Sequence, residues 1–131
     1  MPCPPPIALV EDDASFSRAV ARLLCASGLE AQTFASAEEF LASASPELRP
    51  CLILDIQLPG MSGFDLLKHL QTLAPPRPAI FVTAADDNEV EEQVARFPGS
   101  VLLRKPVLGI ELLAAVRAQL HCTGFPEEPG N

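Results

Sequence analysis

The chain has 131 residues, 48% of them hydrophobic, and this length and composition are typical of one soluble globular domain. Its 17 acidic residues outnumber the 9 basic ones and give a formal net charge of -8. That charge would repel a nucleic-acid backbone, so we expect no direct binding of DNA or RNA. The sequence also shows no secretory signal and no apolar run near the roughly 18 residues of a membrane helix. We therefore expect a cytoplasmic protein that does not contact membranes.

The cysteines are not arranged as a metal site. Cys3, Cys25, Cys51 and Cys122 lie far apart, without a C-x-x-C pair or a histidine at ligand spacing. Such spacing predicts neither a zinc site nor a dense disulfide framework. We expect free thiols in a reducing compartment.

The N-terminal part of the chain predicts two strands and two helices in alternation. The apolar run at residues 7 to 10 is too short for a helix and has no polar alternation, which is typical of a strand buried on both faces of a parallel sheet. A weakly patterned strand near residues 30 to 34 precedes a helix whose Ser36 and Glu39 have the spacing of a capping box. The first helix is predicted between these strands, with its cap and apolar positions at Asp13, Phe16, Val20, Leu23 and Leu24.

The rest of the chain repeats this alternation. Buried strands are predicted at the apolar runs 52 to 54, 79 to 82 and 101 to 103. Each run is followed by a helical pattern. The third helix is predicted from a cap at Ser62 and apolar positions at Phe64, Leu67 and Leu70. The fourth is predicted from a cap at Asp86 or Asp87 and apolar positions at Val90, Val94 and Phe97. The apolar positions of the fifth are Ile110, Leu113, Val116 and Leu120.

Five strands alternating with five helices predict a doubly wound α/β fold, because right-handed crossovers place helices on both faces of a parallel sheet. The prolines fall mostly between the predicted elements or at the chain ends, which supports these boundaries. We expect one domain over residues 7 to 121, with flexible ends at residues 1 to 6 and 122 to 131.

Polar residues stand where the predicted strands end. Since the carboxyl ends of parallel strands share one edge of the sheet, these side chains should meet in the crevice where open α/β sheets bind ligands. Each residue also has a purely structural interpretation, as a helix cap, a β-former or a solvated charge. One joint site explains them together, and its residues are Glu11, Asp12, Asp13, Asp55, Thr83 and Lys105.

The chemistry of this set points to Mg²⁺ and a phosphoryl group. Crowded carboxylates repel one another unless a cation joins them, and ligands that are all oxygen favour a hard ion such as Mg²⁺. A carboxylate can attack phosphorus to form an aspartyl phosphate, in a transfer that depends on positioning and charge neutralisation. Thr83 and Lys105 would share in that neutralisation around Asp55.

Four ordered motifs resemble a known family, the receiver (CheY-like) domain of bacterial two-component response regulators. They lie at residues 9 to 13, 52 to 63, 82 to 84 and 103 to 106, and the resemblance covers about residues 7 to 121. It implies the (βα)5 flavodoxin-like fold with strand order 2-1-3-4-5. It also implies a signalling domain that accepts a phosphoryl group from a sensor histidine kinase. Such a domain catalyses its own phosphorylation and dephosphorylation and is not an enzyme for other substrates.

The resemblance assigns a role to each site residue. Asp55 is the phosphoacceptor and a metal ligand, Asp12 binds Mg²⁺ directly, and Glu11 acts through water. The backbone carbonyl of Gln57 is a further ligand. Two other residues, Thr83 and Lys105, contact the phosphoryl oxygens, and Lys105-Pro106 is a cis peptide. Asp13, the third acid of its run, is expected to cap the first helix instead.

The run Glu38-Glu39-Phe40-Leu41 and the 28-residue step from Asp55 to Thr83 resemble receivers of the FixJ and NodW type, which are usually joined to a helix-turn-helix DNA-binding domain. The sequence shows no such domain before Asn131, so we expect either a single-domain regulator or a fragment cut at the linker, and a homodimer that depends on phosphorylation is left open. Leu102 stands where the family usually has Tyr or Phe, so switching through a ring flip is in question, whereas movement of Thr83 is not.

Two alternative functions remain. One is a pseudo-receiver, an interaction module that keeps the fold without the chemistry, as Leu102 could indicate. The other is a small phosphatase of the haloacid-dehalogenase kind, but that family usually has a second Asp two residues after its nucleophile, where this chain has Gln57. A dinucleotide site is not expected, since no G-x-G-x-x-G follows the first strand.

Overall fold

The computed structural model describes residues 7 to 43, 49 to 73, 78 to 84 and 88 to 122. Within these ranges, strands and helices alternate along the chain as predicted. The strands are β1 (Ile7–Val10), β2 (Ala31–Phe34), β3 (Cys51–Asp55), β4 (Ile80–Thr83) and β5 (Val101–Arg104). The helices are α1 (Ala14–Ala26), α2 (Ala37–Leu41), α3 (Gly63–Gln71), α4 (Asn88–Val94) and α5 (Gly109–Cys122).

The strands form one parallel sheet in the order β2-β1-β3-β4-β5. The predicted doubly wound, flavodoxin-like (CheY-like) fold is therefore confirmed. From β1 the chain moves to one side to form β2 and then returns to form β3 on the other side, so strand order reverses between β1 and β3. In open α/β sheets, ligands bind beside such a reversal, at the carboxyl ends of the strands.

The core lies in two layers, one on each face of the sheet. Side chains alternate along a strand, so Ala8 and Val10 face one layer while Ile7 and Leu9 face the other. The first layer packs against α2, α3 and α4, and the second against α1 and α5. Strands β1, β3 and β4 are buried throughout, which explains their continuous apolar runs.

Side-chain caps begin three of the helices where the sequence predicts them. Asp13 Oδ1 accepts hydrogen bonds from the N–H groups of Ser15 and Phe16. Ser36 and Ser62 accept in the same way from Glu39 and Asp65. Each cap satisfies N–H groups that have no partner inside their helix. The predicted cap at Asp86 or Asp87 lies outside the described residues, as do the predicted flexible ends, apart from residue 122.

The second strand, predicted near residues 30 to 34, is confirmed at Ala31–Phe34. Two other predictions about the elements were wrong in detail. Strand β5 is not buried on both faces, and Val101 is 40% exposed because β5 lies at the edge of the sheet. In α5, Ile110 is 78% exposed and Leu112 is 1% exposed. Because successive residues of an α-helix are about 100° apart, Ile110 lies about 200° from Leu112 around the helix. When Leu112 faces the core, Ile110 therefore faces solvent.

Among the residues that the structure describes, no helix is both long enough and apolar enough to span a membrane. Cys25 and Cys51 are free thiols, as expected. The side chains of Cys3 and Cys122 are not among those that the structure describes, so free thiols at these two positions remain a prediction.

Candidate functional site

Backbone hydrogen bonds bring the ends of the strands together at one edge of the sheet. Ile56 N–H donates to the carbonyl of Val82 at 3.0 Å, just beyond the end of β3. Lys105 N–H donates to the carbonyl of Thr83 at 2.8 Å, so the chain after β5 stays beside β4. The residues that end the strands therefore line one crevice, as the sequence predicts.

Among the residues that the structure describes, three carboxylates meet in this crevice. Glu11, Asp12 and Asp55 each offer an oxygen, and these oxygens lie within 4.8 Å of one another. Glu11 is 2% exposed and Asp55 is 4% exposed, whereas Asp12 lies at the exposed rim. Buried like charges at this spacing need a cation, and an oxygen-only set with one open side fits a hard divalent ion that also keeps water ligands. The residues present thus fit Mg²⁺.

Lys105 supplies the positive charge inside the cluster. Its Nζ lies 2.8 Å from Glu11 Oε1 and 3.6 Å from Asp55 Oδ2. The ammonium also lies 4.5 Å from the centre of the Phe16 ring, on the first turn of α1, where a cation is attracted to the ring face. Burial alone would lower the pKa of Lys105, but the nearby carboxylates outweigh burial and raise the pKa above its ordinary value. Lys105 is therefore charged at neutral pH.

Glu11 is held in an environment that opposes its ionisation. Burial raises the pKa of its carboxyl, and the neighbouring Asp55 raises it further, whereas the Lys105 ammonium and the Asp13 N–H act in the opposite direction. The Asp13 N–H donates to Glu11 Oε2 at 3.0 Å. In the described part of the chain, one ammonium thus neutralises only part of the charge of three acids, so the crevice still attracts positive charge.

Thr83 and Asp13 lie where the sequence predicts them. Thr83 ends β4 on the edge that carries Asp55, and it is fully buried. Asp13 caps α1 and is not one of the clustered acids. Contact of the Thr83 hydroxyl with a phosphoryl group stays a prediction, as does Glu11 acting through water. The Lys105-Pro106 peptide bond is cis, as the resemblance implied.

The loop from Asp55 to α3 is held close to the crevice. Gln57 N–H donates to Asp55 Oδ1 at 3.0 Å, which orients that carboxylate. A Cβ atom at Gly63 would lie 2.5 Å from the backbone oxygen of Asp55, so only glycine fits where α3 begins. The backbone carbonyl of Gln57 remains a predicted metal ligand.

Sequence reasoning missed two residues that act around the site. Phe16 was predicted only as an apolar position of α1, yet it lies against Lys105. Its place three residues after the Asp13 cap, at the end of α1 nearest the crevice, is a signal that could have revealed it. Glu38 reaches from α2 to the N–H of Met61 in the loop after Asp55, and nothing in the sequence pattern indicates this contact.

Comparison with known proteins gives the same assignment. Residues 7 to 117 match the family model of the response regulator receiver domain. The chain is 39% identical over 110 residues to nodulation protein W of Bradyrhizobium diazoefficiens, covering 84% of this chain and 48% of that protein. It is 32% identical over 120 residues to the transcriptional regulatory protein FixJ of Azorhizobium caulinodans, covering 92% of this chain and 57% of that protein. The chain thus spans about half the length of these curated relatives.

A solved structure shares the fold over nearly the full chain. The crystal structure of a CheY-like response regulator receiver domain protein from Methanospirillum hungatei superposes with a TM-score of 0.80 at 28% identity. The match covers 90% of this chain and 94% of that one. Together with the strand order and the cluster at the carboxyl edge, these matches show that the chain belongs to the response regulator receiver domain family, and within it to the FixJ and NodW type.

Proposed function

We propose that this chain is a phosphoacceptor signalling domain in which Asp55 receives a phosphoryl group from a sensor histidine kinase in a reaction that requires Mg²⁺. One observation carries the proposal. Asp55, at the end of the central strand β3, lies in a cluster with the buried Glu11 and the exposed Asp12, and its Oδ2 is 3.6 Å from Lys105 Nζ. A strand-end carboxylate beside a fixed ammonium and a fitting metal site is suited to phosphoryl transfer.

The chain's own residues would hold the metal and orient the nucleophile. Asp12, Asp55 and the Gln57 carbonyl are the proposed direct ligands, with Glu11 acting through water. Bound Mg²⁺ would neutralise charge on the phosphoryl oxygens. The Gln57 N–H fixes Oδ1 of Asp55, and this would orient Oδ2, on the side of Lys105, for attack.

The transfer itself is a displacement at phosphorus. An Asp55 oxygen forms the new bond to phosphorus while the phosphorus–nitrogen bond to the kinase histidine breaks, and the electron pair of that bond stays on the histidine nitrogen. Lys105, already within reach of Asp55, would bind a phosphoryl oxygen. The Thr83 hydroxyl would bind another.

The signal would leave the site through the strand that Thr83 ends. Movement of Thr83 toward the new oxygens would repack the face formed by α4, β5 and α5 and change its affinity for partners. Leu102 pairs in register with Phe81 and packs against the core layer that contains it. Leu102 is a partly buried aliphatic residue, so the switch would proceed without a ring flip at this position.

The cellular setting of this activity and its partners are inferred from the relatives. One of them is named as a transcriptional regulatory protein and is nearly twice as long as the matched region. We propose a cytoplasmic domain that acts on, or is joined to, a DNA-binding output domain, and that forms a homodimer when phosphorylated. It would catalyse only its own phosphorylation and dephosphorylation. No observation favours the pseudo-receiver or the phosphatase alternative.

Intact-mass spectrometry with acetyl phosphate tests the proposal. Wild-type protein should gain a single phosphoryl increment in the presence of Mg²⁺ and none without it. Asp55→Asn should gain none, while the control Asp65→Asn, an exposed acid on α3, should behave as wild type. A folded wild-type protein that gains no increment would support the pseudo-receiver instead.

A further inference from the structure

The loop over residues 57 to 62 joins the end of β3 to the start of α3 and has no regular secondary structure. It is fixed at both ends, where Gln57 N–H donates to Asp55 Oδ1 at 3.0 Å and Gly63 N–H donates to the Ile56 carbonyl at 3.1 Å. The side chain of Leu58 anchors it to the core. The Met61 side chain is partly buried against the same core layer, and the backbone at Gly60 and Met61 receives a further restraint from outside the loop.

Glu38 provides that restraint from a different element. Its Oε2 accepts a hydrogen bond from Met61 N–H at 3.1 Å, across 23 positions of sequence. Gly60 makes room for the contact, because a Cβ atom there would lie 2.9 Å from the same oxygen. Gly60 also has a φ of 77°, a left-handed conformation that glycine adopts readily. The loop thus turns where the carboxylate approaches it.

The helix that carries Glu38 is itself firmly held. Ala37 and Phe40 of α2 are fully buried. The Phe40 ring packs edge-on against Phe34 with centroids 5.1 Å apart. Ser36 caps the helix. A side chain mounted on such a helix can fix a loop in a way that an exposed side chain within the loop cannot.

We propose that Glu38 is a positioning residue whose hydrogen bond to Met61 N–H sets the conformation of the loop after Asp55, and thereby the affinity of the site for its divalent cation. The inference rests on the proposed function. The loop connects Glu38 to the metal site, because it also carries the Gln57 N–H that orients Asp55 and the Gln57 carbonyl proposed as a ligand. Loss of the restraint would spread both groups over more conformations and weaken metal binding.

The side chain acts as an acceptor and not through its charge. An amide oxygen can accept the same hydrogen bond, so Glu38→Gln keeps the restraint and removes the charge. Glu38→Ala removes both. Glu39→Ala is a matched control, since Glu39 is the next residue of α2 and is exposed, and its carboxylate makes no hydrogen bond or ion pair among the residues that the structure describes.

The test is an NMR titration of each ¹⁵N-labelled protein with Mg²⁺, combined with amide hydrogen exchange at Met61. Glu38→Ala should raise the Kd for Mg²⁺ by about threefold to tenfold, the size expected for one partly exposed hydrogen bond that supports a ligand. Exchange of the Met61 N–H should become faster by a similar factor. Glu38→Gln and Glu39→Ala should stay within about twofold of wild type in both measurements, since both leave the hydrogen bond in place.

Three results would overturn the inference: equal Kd values for wild type and Glu38→Ala, a loss in Glu38→Gln as large as in Glu38→Ala, or an equal loss in Glu39→Ala. Failure of the proposed function is distinct, because it appears in the wild-type protein as an absence of Mg²⁺ binding. In that event the cation part of the inference fails with it, and the exchange rate of Met61 alone decides whether Glu38 holds the loop.

Discussion

The two ends of the sheet differ in how their polar groups are satisfied. At the amino end, the buried Arg49 donates a hydrogen bond to the neutral Gln32, and two backbone N–H groups, one in β3 and one just before β4, donate to neutral side chains. Leu52 N–H donates to Gln119 Oε1 at 2.7 Å, and Ala79 N–H donates to Ser100 Oγ at 2.9 Å. At the carboxyl end, the acids Glu11, Asp12 and Asp55 cluster together, and in the described part of the chain the ammonium of Lys105 pairs with two of them, Glu11 and Asp55.

This contrast separates a structural polar cluster from a binding site. A buried donor that has its acceptor needs no further partner, whereas a cluster with excess charge binds a counter-ion or a charged group. Strand β3 shows both cases, since it begins at Cys51, whose burial raises the pKa of the thiol to about 12, and ends at the Asp55 carboxylate.

The largest effect is expected for the reactivity of Cys51, at the amino end of β3. In folded protein at pH 8, alkylation of Cys51 by iodoacetamide should be at least about 1000-fold slower than in urea, because a pKa of about 12 leaves that much less reactive thiolate than an ordinary thiol has. The rate should rise with pH as more thiolate forms. Peptide mapping measures it, with exposed Cys25 as the control. Similar labelling of Cys25 and Cys51 in the folded protein would contradict the assigned environment.

At the charged end, Lys105→Ala should slow phosphorylation by acetyl phosphate about 100-fold, because the site loses its fixed positive charge. The rate is measured by intact mass at saturating Mg²⁺. Lys68→Ala, which removes an exposed lysine from the last turn of α3, should leave the rate unchanged. Equal rates for Lys105→Ala and wild type would show that the ammonium has no part in the transfer.

Gln119→Leu should affect stability and leave the chemistry intact. It removes the acceptor of a buried N–H, so the free energy of unfolding should fall by about 2 kcal/mol, roughly a 30-fold change in the folding equilibrium. Urea denaturation followed by circular dichroism measures this, with the exposed Gln93→Leu as the control. A slower phosphorylation rate at unchanged stability would mean that the two ends of the sheet are not separate in function.

Much of this structure could be predicted from the sequence. Buried strands gave uninterrupted apolar runs, and Asp55, Thr83 and Lys105 stand directly at strand ends, so the parallel fold brings them together. The motif positions then indicated the family. Phosphorylation and Mg²⁺ binding themselves remain predictions, as does the homodimer.

The remaining features depend on three-dimensional packing. Apolar residues lie on more than one side of α5, so periodicity could not exclude Ile110 from the core. The exposure of Val101 depends on which strand ends the sheet. The contacts of Phe16 with Lys105 and of Glu38 with Met61 join distant parts of the chain, and a pattern along one segment carries no information about them.

The central claim is that the carboxyl end of the sheet is a phosphoryl site centred on Asp55. NMR spectra of ¹⁵N-labelled protein with and without Mg²⁺ and beryllofluoride, a mimic of the phosphoryl group, test it most directly. We predict shifts at Asp12, Gln57 and Lys105 and along α4 and β5, little change at Leu52 and Ala79, and no response in Asp55→Asn. An unchanged spectrum of the folded wild type, or equal shifts in Asp55→Asn, would contradict the account.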